Sequence, residues 1–509
     1  VRRLPNRSLL IPNRSLLAAA AVTGALAAGV ALPGAASAAA PTFVHGVLPP
    51  PPAGSTSAFN QAAEPQIRAD RAGHFYISSE NGLGAGTDAW SSANGGTSYG
   101  SLPQPNELSA ASGGTTGFAP GGGDTDLATA PAKNSLGTYN TYVASLTLGS
   151  VTVGLSRDRG QTWANDVTSA KVPGDDREWI AAAGANGFYL SYHAIGTGDQ
   201  IIVNQGQVVS GQPTTVQTYD AINPAQTSIF LGTVDDNEIG NMAVDPRNGN
   251  VYQIFAGCPP SATAVVTCSA FSTAYMAVGV PSTTNGVTTL TFTDYVIYQS
   301  PDAAASLSNN FPAVAVDAAG NVYATWSDDT NVFLAYSTSH GQHWSAPRRV
   351  NQGSGATTAI FPWLTAGAAG KVDLVFYGTP AAANFQTCGQ TGKYNCQNEP
   401  WSVFFTQNLN VTGGGSWSQA KVTPVVHVGG VCQGGIGCTS QGNDNRDLYD
   451  DFGVAASPTT GLASITYSDD QFADNTGTAN AGECTSAQNN TSSCDHTDFA
   501  TQTGGSGIF

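Results

Sequence analysis

Basic side chains are scarce in this chain. Among 509 residues there are 18 Lys and Arg against 35 Asp and Glu, and charged residues of both signs make up only 10% of the total. Four of the arginines, Arg2, Arg3, Arg7 and Arg14, fall within the first 14 positions. The remainder therefore carries 14 basic against 35 acidic residues, a formal charge of −21. A surface of that sign repels nucleic acid and anionic membranes, so neither is an expected partner. Helical periodicity is nearly absent after residue 38, as are CxxC pairs, His-based zinc spacings, phosphate-binding loops and Ser/His/Asp arrangements. No apolar run of about 18 residues follows the N-terminal one, which argues against a membrane span.

The N-terminal run reads as an export signal covering 1–38: an arginine-rich start, the apolar stretch Leu16–Leu32 and the small-residue site Ala36-Ser37-Ala38. Residues 39–60, with four consecutive prolines from Pro49, read as an extended lead-in. Within it Thr42–Leu48 is β-prone, and it is expected to serve as a closing strand for the repeats downstream. The eight cysteines form four neighbouring couples: Cys258/Cys268, Cys388/Cys396, Cys432/Cys438 and Cys484/Cys494. Even number, short spacing and export predict four local disulfides and an extracellular, secreted protein.

Between 61 and 509 one phrase recurs seven times: an apolar strand, a turn bearing glycine, then a second strand built around Val/Phe-Tyr. Three copies place glycine eight residues after proline, as Pro65/Gly73, Pro312/Gly320 and Pro362/Gly370. β patterning at a period of about 50–70 residues is the mark of a propeller, one sheet per repeat. The expected fold is all-β, a seven-bladed β-propeller over 61–509, with a six-bladed ring as the alternative. Inner strands are predicted to begin near Pro65, Thr125, Glu178, Ile239, Phe311, Phe361 and Asp451. The second copy is interrupted by Pro131–Tyr139.

The turn after the third strand of the second copy reads Ser156-Arg157-Asp158-Arg159-Gly160-Gln161-Thr162-Trp163. It matches S-x-D-x-G-x-T-W at all five specified positions. Ser337 to Trp344 and Ser92 to Tyr99 are softened copies. The chain thus resembles secreted BNR-repeat, or Asp-box, proteins of the sialidase-like (exo-alpha-sialidase) superfamily. That resemblance implies a propeller acting on glycans, with the Asp-box turns structural and remote from the site. Sialidases clamp the substrate carboxylate with three arginines, the first in Arg-Ile-Pro. Here the first copy reads Ala62-Ala63-Glu64-Pro65, and Arg177, Arg446 and Arg68 are the inward candidates.

Strand phase puts the acidic clusters on the opposite face from those turns, where inner strands begin and second-to-third-strand loops lie. Paired carboxylates on such a rim suit glycoside hydrolysis, one as acid and one as base or nucleophile. The candidate catalytic residues are Glu178, Glu238, Asp176, Asp236 and Asp447. Arg177 and Arg446 are candidate clamps, and Trp179, Tyr192 and Tyr449 candidate sugar platforms. Asp124, Asp126 and Asp450 are candidate ligands for Ca²⁺, which takes six to eight oxygens. No cofactor is required by this chemistry. His193, His427 and His496 read as loop residues rather than catalysts. The expected partner is an extracellular glycan or glycoconjugate, bound by a monomer. A non-catalytic carbohydrate- or protein-binding propeller, Ca-stabilised, is the rival reading.

Overall fold

In the computed structural model the described residues are 40–53, 55, 60–106, 121–147, 149–197, 200–222, 237–260, 268–382, 399–434, 438, 446–472 and 494–509. The stretch read as an export signal lies outside them. They form seven sheets, with strands in chain order from the inside outward in all but the last, whose outer strand comes from Thr42–Val47. The inner strands of blades 1 to 7 are Ala63–Ala69, Thr125–Lys133, Asp175–Ala183, Asn237–Val244, Ala313–Val316, Thr358–Ala366 and Gly453–Ala456. The fold is a seven-bladed β-propeller, so the six-bladed alternative is set aside. Blade 2 is complete, with its ladder irregular between Thr129 and Lys133. No helix among the described residues is long and apolar enough to cross a membrane.

The repeated phrase has a local cause. After the inner strand of blade 1, Asp70 Oδ1 accepts the backbone N–H groups of Ala72 (2.8 Å) and His74 (3.0 Å). Asp317 in blade 5 does the same for Ala319 (2.8 Å) and Asn321 (3.0 Å). Gly73 and Gly320 then take φ of 87° and 79°, which a side chain resists. The tyrosine of the next strand closes the unit: the Tyr323 hydroxyl donates to Asp317 Oδ2 at 2.7 Å. Between sheets, large side chains fill the wedge, and Trp90, Trp179, Trp326 and Trp401 are fully buried. Each contributes of the order of 3 kcal/mol by leaving water.

The turns on the outer face share one bonding scheme. Ser156 Oγ accepts the Gly160 N–H (2.7 Å), while Asp158 Oδ1 accepts the Thr162 N–H (2.9 Å). Ser92 and Asn94 repeat this with Gly96 (3.0 Å) and Ser98 (3.2 Å). Ser337 and Ser339 repeat it with Gly341 and His343, both at 3.0 Å.

Among the described residues blade 7 supplies three strands of its own, Gly453–Ala456, Ala463–Asp469 and His496–Gly504. Its outer strand is Thr42–Val47, paired antiparallel from Thr42 opposite Gly504 to Val47 opposite Asp498. Phe43 packs edge-on against Phe405 at 5.3 Å, and Leu48 is fully buried.

Two of the four expected disulfides lie within described residues, Cys258–Cys268 and Cys432–Cys438. Cys388 and Cys396 both lie outside the described residues, so the expected Cys388–Cys396 bridge is not among those the structure describes. Cys484 also lies outside them, while its expected partner Cys494 is buried and disulfide-bonded.

Candidate functional site

Inner strands of a propeller alternate between the neighbouring blades, and a bulge is what turns an extra side chain toward the axis. The ladder shifts between Ala63 and Gln66 in blade 1, between Asp176 and Glu178 in blade 3, and between Ile360 and Trp363 in blade 6. The bulged residues Glu64, Arg177 and Phe361 have φ of 50°, 43° and 53°. Such values are costly for side-chain-bearing residues and persist only where surroundings impose them.

Arg177 is nearly fully buried and lies over the Trp179 ring, 4.0 Å from its centroid. Its Nη2 donates to Asp451 Oδ2 (2.6 Å) and its Nη1 to Glu64 Oε2 (3.4 Å). Asp124 Oδ2 stands 3.8 Å from Nη1. Arg446 reaches the same carboxylate from the other side: Nη2 donates to Glu64 Oε1 (3.1 Å) and to Asp450 Oδ2 (2.6 Å). Glu64 thus bridges two guanidinium groups. Below them Trp179 packs on Trp363 and Phe311 with centroids 5.3–5.4 Å apart, giving the site an aromatic floor.

Above this pair opens a cavity of about 510 Å³. Its wall takes carboxylates from five positions, Glu80, Asp124, Asp176, Glu238 and Asp450, together with Arg177, Arg446 and His193. Carboxylate oxygens of Glu64, Glu80 and Asp124 come within 4.8 Å of one another. Burial pushes the Glu64 carboxyl well above the usual range, with the charges of Glu80, Asp124 and Asp450 adding to it against Arg446. Glu80 is raised well above its range too, by burial and then by Asp124, again against Arg446. Loss of water around Asp176, with the charge on Asp124, pushes its carboxyl up to about 6. The cavity therefore holds carboxyl groups biased to different protonation states, the arrangement that acid–base chemistry uses.

The sequence-based candidates divide. Asp176, Glu238, Arg177 and Arg446 converge on the cavity. Glu178 is fully buried outside its wall, and neither carboxylate oxygen has a hydrogen-bond partner among the described residues. Asp447 is buried against His427 and Asp470 instead. Asp236 lies outside the described residues. Trp179 and Tyr192 are not sugar platforms: both are fully buried, and the Tyr192 hydroxyl accepts the Lys171 and Val172 N–H groups at 3.1 Å. Tyr449 lies beneath Arg446, whose guanidinium is 5.6 Å from the ring centroid.

The metal candidates do not gather around one point. Asp126 accepts from Arg68 (2.7 Å) and from the Ile180 N–H (3.0 Å), and Asp450 is committed to Arg446. Of the three, Asp124 alone joins a carboxylate cluster among the described residues. His427 and His496 are not loop residues but buried groups within strands. Sequence reasoning missed Glu64 and Glu80. Glu80 had one available signal, an acid ending a second strand at the height where Leu146 and His193 stand in the next two blades.

No protein-family model matches this chain, and no curated protein matches it. Among solved structures it is similar to an alpha-L-arabinofuranosidase from Fusarium graminearum, 11% identical over 90% of this chain and 97% of that one, TM-score 0.41. It is similar to the fucose-specific lectin from Aleuria aurantia, at 14% identity, 70% and 94% coverage and TM-score 0.39. A Hadza microbial sialidase matches at 10% identity, 87% and 65% coverage and TM-score 0.38. At these identities the likeness concerns fold.

Proposed function

We propose that the cavity binds a neutral extracellular glycan and hydrolyses a glycosidic bond, with Glu80 as proton donor and Asp176 as the ionised partner. The observation that carries this reading is that one open cavity holds a carboxyl group pushed well above its usual range by burial, Glu80, and another pushed up to about 6, Asp176. Glu238 supplies a third carboxyl group from blade 4. A sialidase-type clamp is disfavoured here because Arg177 and Arg446 already bind Glu64, Asp450 and Asp451. An anionic sugar entering a wall with five carboxylates meets net repulsion. The disulfides accord with export to an oxidising compartment.

The test is a panel of neutral 4-nitrophenyl glycosides beside a sialoside, assayed with the wild type, Glu80→Gln and Asp176→Asn. Turnover of a neutral glycoside, lowered about 10²–10⁴-fold by each substitution with the fold intact, supports the proposal. Preference for the sialoside, or turnover indifferent to both substitutions, refutes it. Glycan binding without turnover assigns the cavity to recognition alone.

A further inference from the structure

A second set of buried groups lies in blade 7. Asp469 ends the second strand directly opposite His496, which begins the third, and Asp498 follows two residues later. Residues two apart on a strand share a face, as do directly opposed residues, so the ladder places all three side chains on one face of two paired strands. All three are at least nine-tenths buried. One oxygen from each carboxylate and one imidazole nitrogen lie within 4.8 Å of one another.

The hydrogen bonds fix what the imidazole can do. His496 Nδ1 lies 2.7 Å from the Cys494 carbonyl, which can only accept, so Nδ1 carries a proton. Nε2 is then the nitrogen that can offer a lone pair on the carboxylate side, and it has no hydrogen-bond partner among the described residues. Asp498 Oδ1 is likewise without a hydrogen bond among them and lies 3.6 Å from Nε2. A proton shared between them would draw the pair to about 2.7–2.9 Å. His427 shows that alternative elsewhere in the fold: its Nδ1 meets Asp470 at 2.7 Å and its Nε2 meets the Gly430 carbonyl at 2.9 Å. Both of its nitrogens are spent, so neither is left to offer a lone pair to a cation. By contrast, two donors about 2.0–2.2 Å from one tetrahedral cation lie roughly 3.3–3.6 Å apart.

We propose that Asp469, His496 and Asp498 bind one divalent transition-metal cation, zinc by the chemistry of the set. One imidazole and two carboxylates suit zinc better than calcium, which would want six or more oxygens. The His496–Cys494 bond supplies the orienting contact that metal-bound histidines use. Local charge points the same way. Asp469 lies within electrostatic reach of Asp498 and Asp470, Asp495 within reach of Asp447 and Asp470, all five are buried, and His496 is the cationic group acting on both. The cation's place is structural: Asp498 pairs with Val47, the last residue of the closing strand.

The experiment is zinc titration of the EDTA-treated full chain by calorimetry, with Mn²⁺ and Ca²⁺ as comparison arms. One equivalent of Zn²⁺, bound at least tenfold more tightly than Ca²⁺ and raising Tm, is expected. His496→Gln and Asp498→Asn should each weaken it tenfold or more, while Glu80→Gln leaves it unchanged. No binding, binding tighter for Ca²⁺, or loss in Glu80→Gln alone overturns the proposal. Should the blade 7 variants not fold, zinc-edge X-ray absorption on the wild type decides. One imidazole with oxygen neighbours supports the site, and a shell without imidazole refutes it.

Discussion

Glu64 and Arg177 occupy the same bulged position in blades 1 and 3 and meet at the top of the ring, Arg177 Nη1 to Glu64 Oε2 at 3.4 Å. Two backbone irregularities with positive φ thus bring a carboxyl group and a guanidinium together. Arg177→Met would strand Glu64 and Asp451 without their cation and is expected to cost about 3–5 kcal/mol in urea unfolding. Arg177→Met with Glu64→Gln should cost less than the sum of the two single changes, since each removes the charge the other would leave unpaired. Additive losses would show that the two residues do not depend on each other.

The rate of any hydrolysis should rise with pH through an apparent pKa near 6 as Asp176 ionises. Asp176→Asn should remove that limb together with most of the rate. A limb that persists in the variant would assign the base to another group.

Asp373 offers a stability test remote from the cavity. It is fully buried, accepts one bond from Gln407 Nε2 at 2.8 Å, and burial pushes its carboxyl up to about 8. The folded protein therefore holds a proton there that the unfolded chain releases near pH 4. Stability from this group is complete below about pH 4 and is lost as pH rises toward 8. Asp373→Asn should flatten the wild-type decline between about pH 4 and pH 8 by on the order of a few kcal/mol. An unaltered slope would show that Asp373 is ionised in the fold.

On the outer face, the Asp158 carboxyl, though partly buried, is held below its usual range by the Thr162 hydroxyl and N–H and by Ser156. Asp158→Ala should cost about 1–2 kcal/mol while leaving ligand binding at the opposite face unchanged. Ser339→Asp, which gives blade 5 the acid that blade 2 has, should be neutral or stabilising.

Deleting residues 40–48 would remove the outer strand of blade 7 and the buried Leu48. Tm should fall by on the order of 5–10 °C. The exposed edge of His496–Gly504 should also raise aggregation in light scattering. An unchanged Tm would mean that the strand contributes nothing to closure.

The ring was legible because its clearest turns are local chemistry: in blades 1 and 5 an Asp side chain bonds amides two and four residues on, and a glycine supplies the left-handed φ. Blade 2 was harder to read because Lys133 pairs with Tyr139 across an irregular ladder around Pro131. At the site, the acidic strand entries were legible as a class, but their individual directions were not. Period-two reading breaks at a bulge, so Arg177 turns to the axis while Glu178 and Trp179 turn into the protein. Glu64 escaped notice for the same reason. The two buried histidines looked ordinary because their partners, Asp470 and Asp498, are defined only by how strands pair and blades pack.

Closing the ring with Thr42–Val47 also sets a temporal order on assembly. The Thr503 hydroxyl donates to the Thr42 carbonyl across 461 residues, so the Thr42–Val47 strand waits for His496–Gly504 to be synthesised. Contacts of such separation form slowly because the chain-ordering cost precedes any gain. Until then the chain carries two unpaired sheet edges, one on each side of the gap. Closure is thus a late step in assembly, and a chain cut short before His496 would be left as an open, self-associating ribbon of blades.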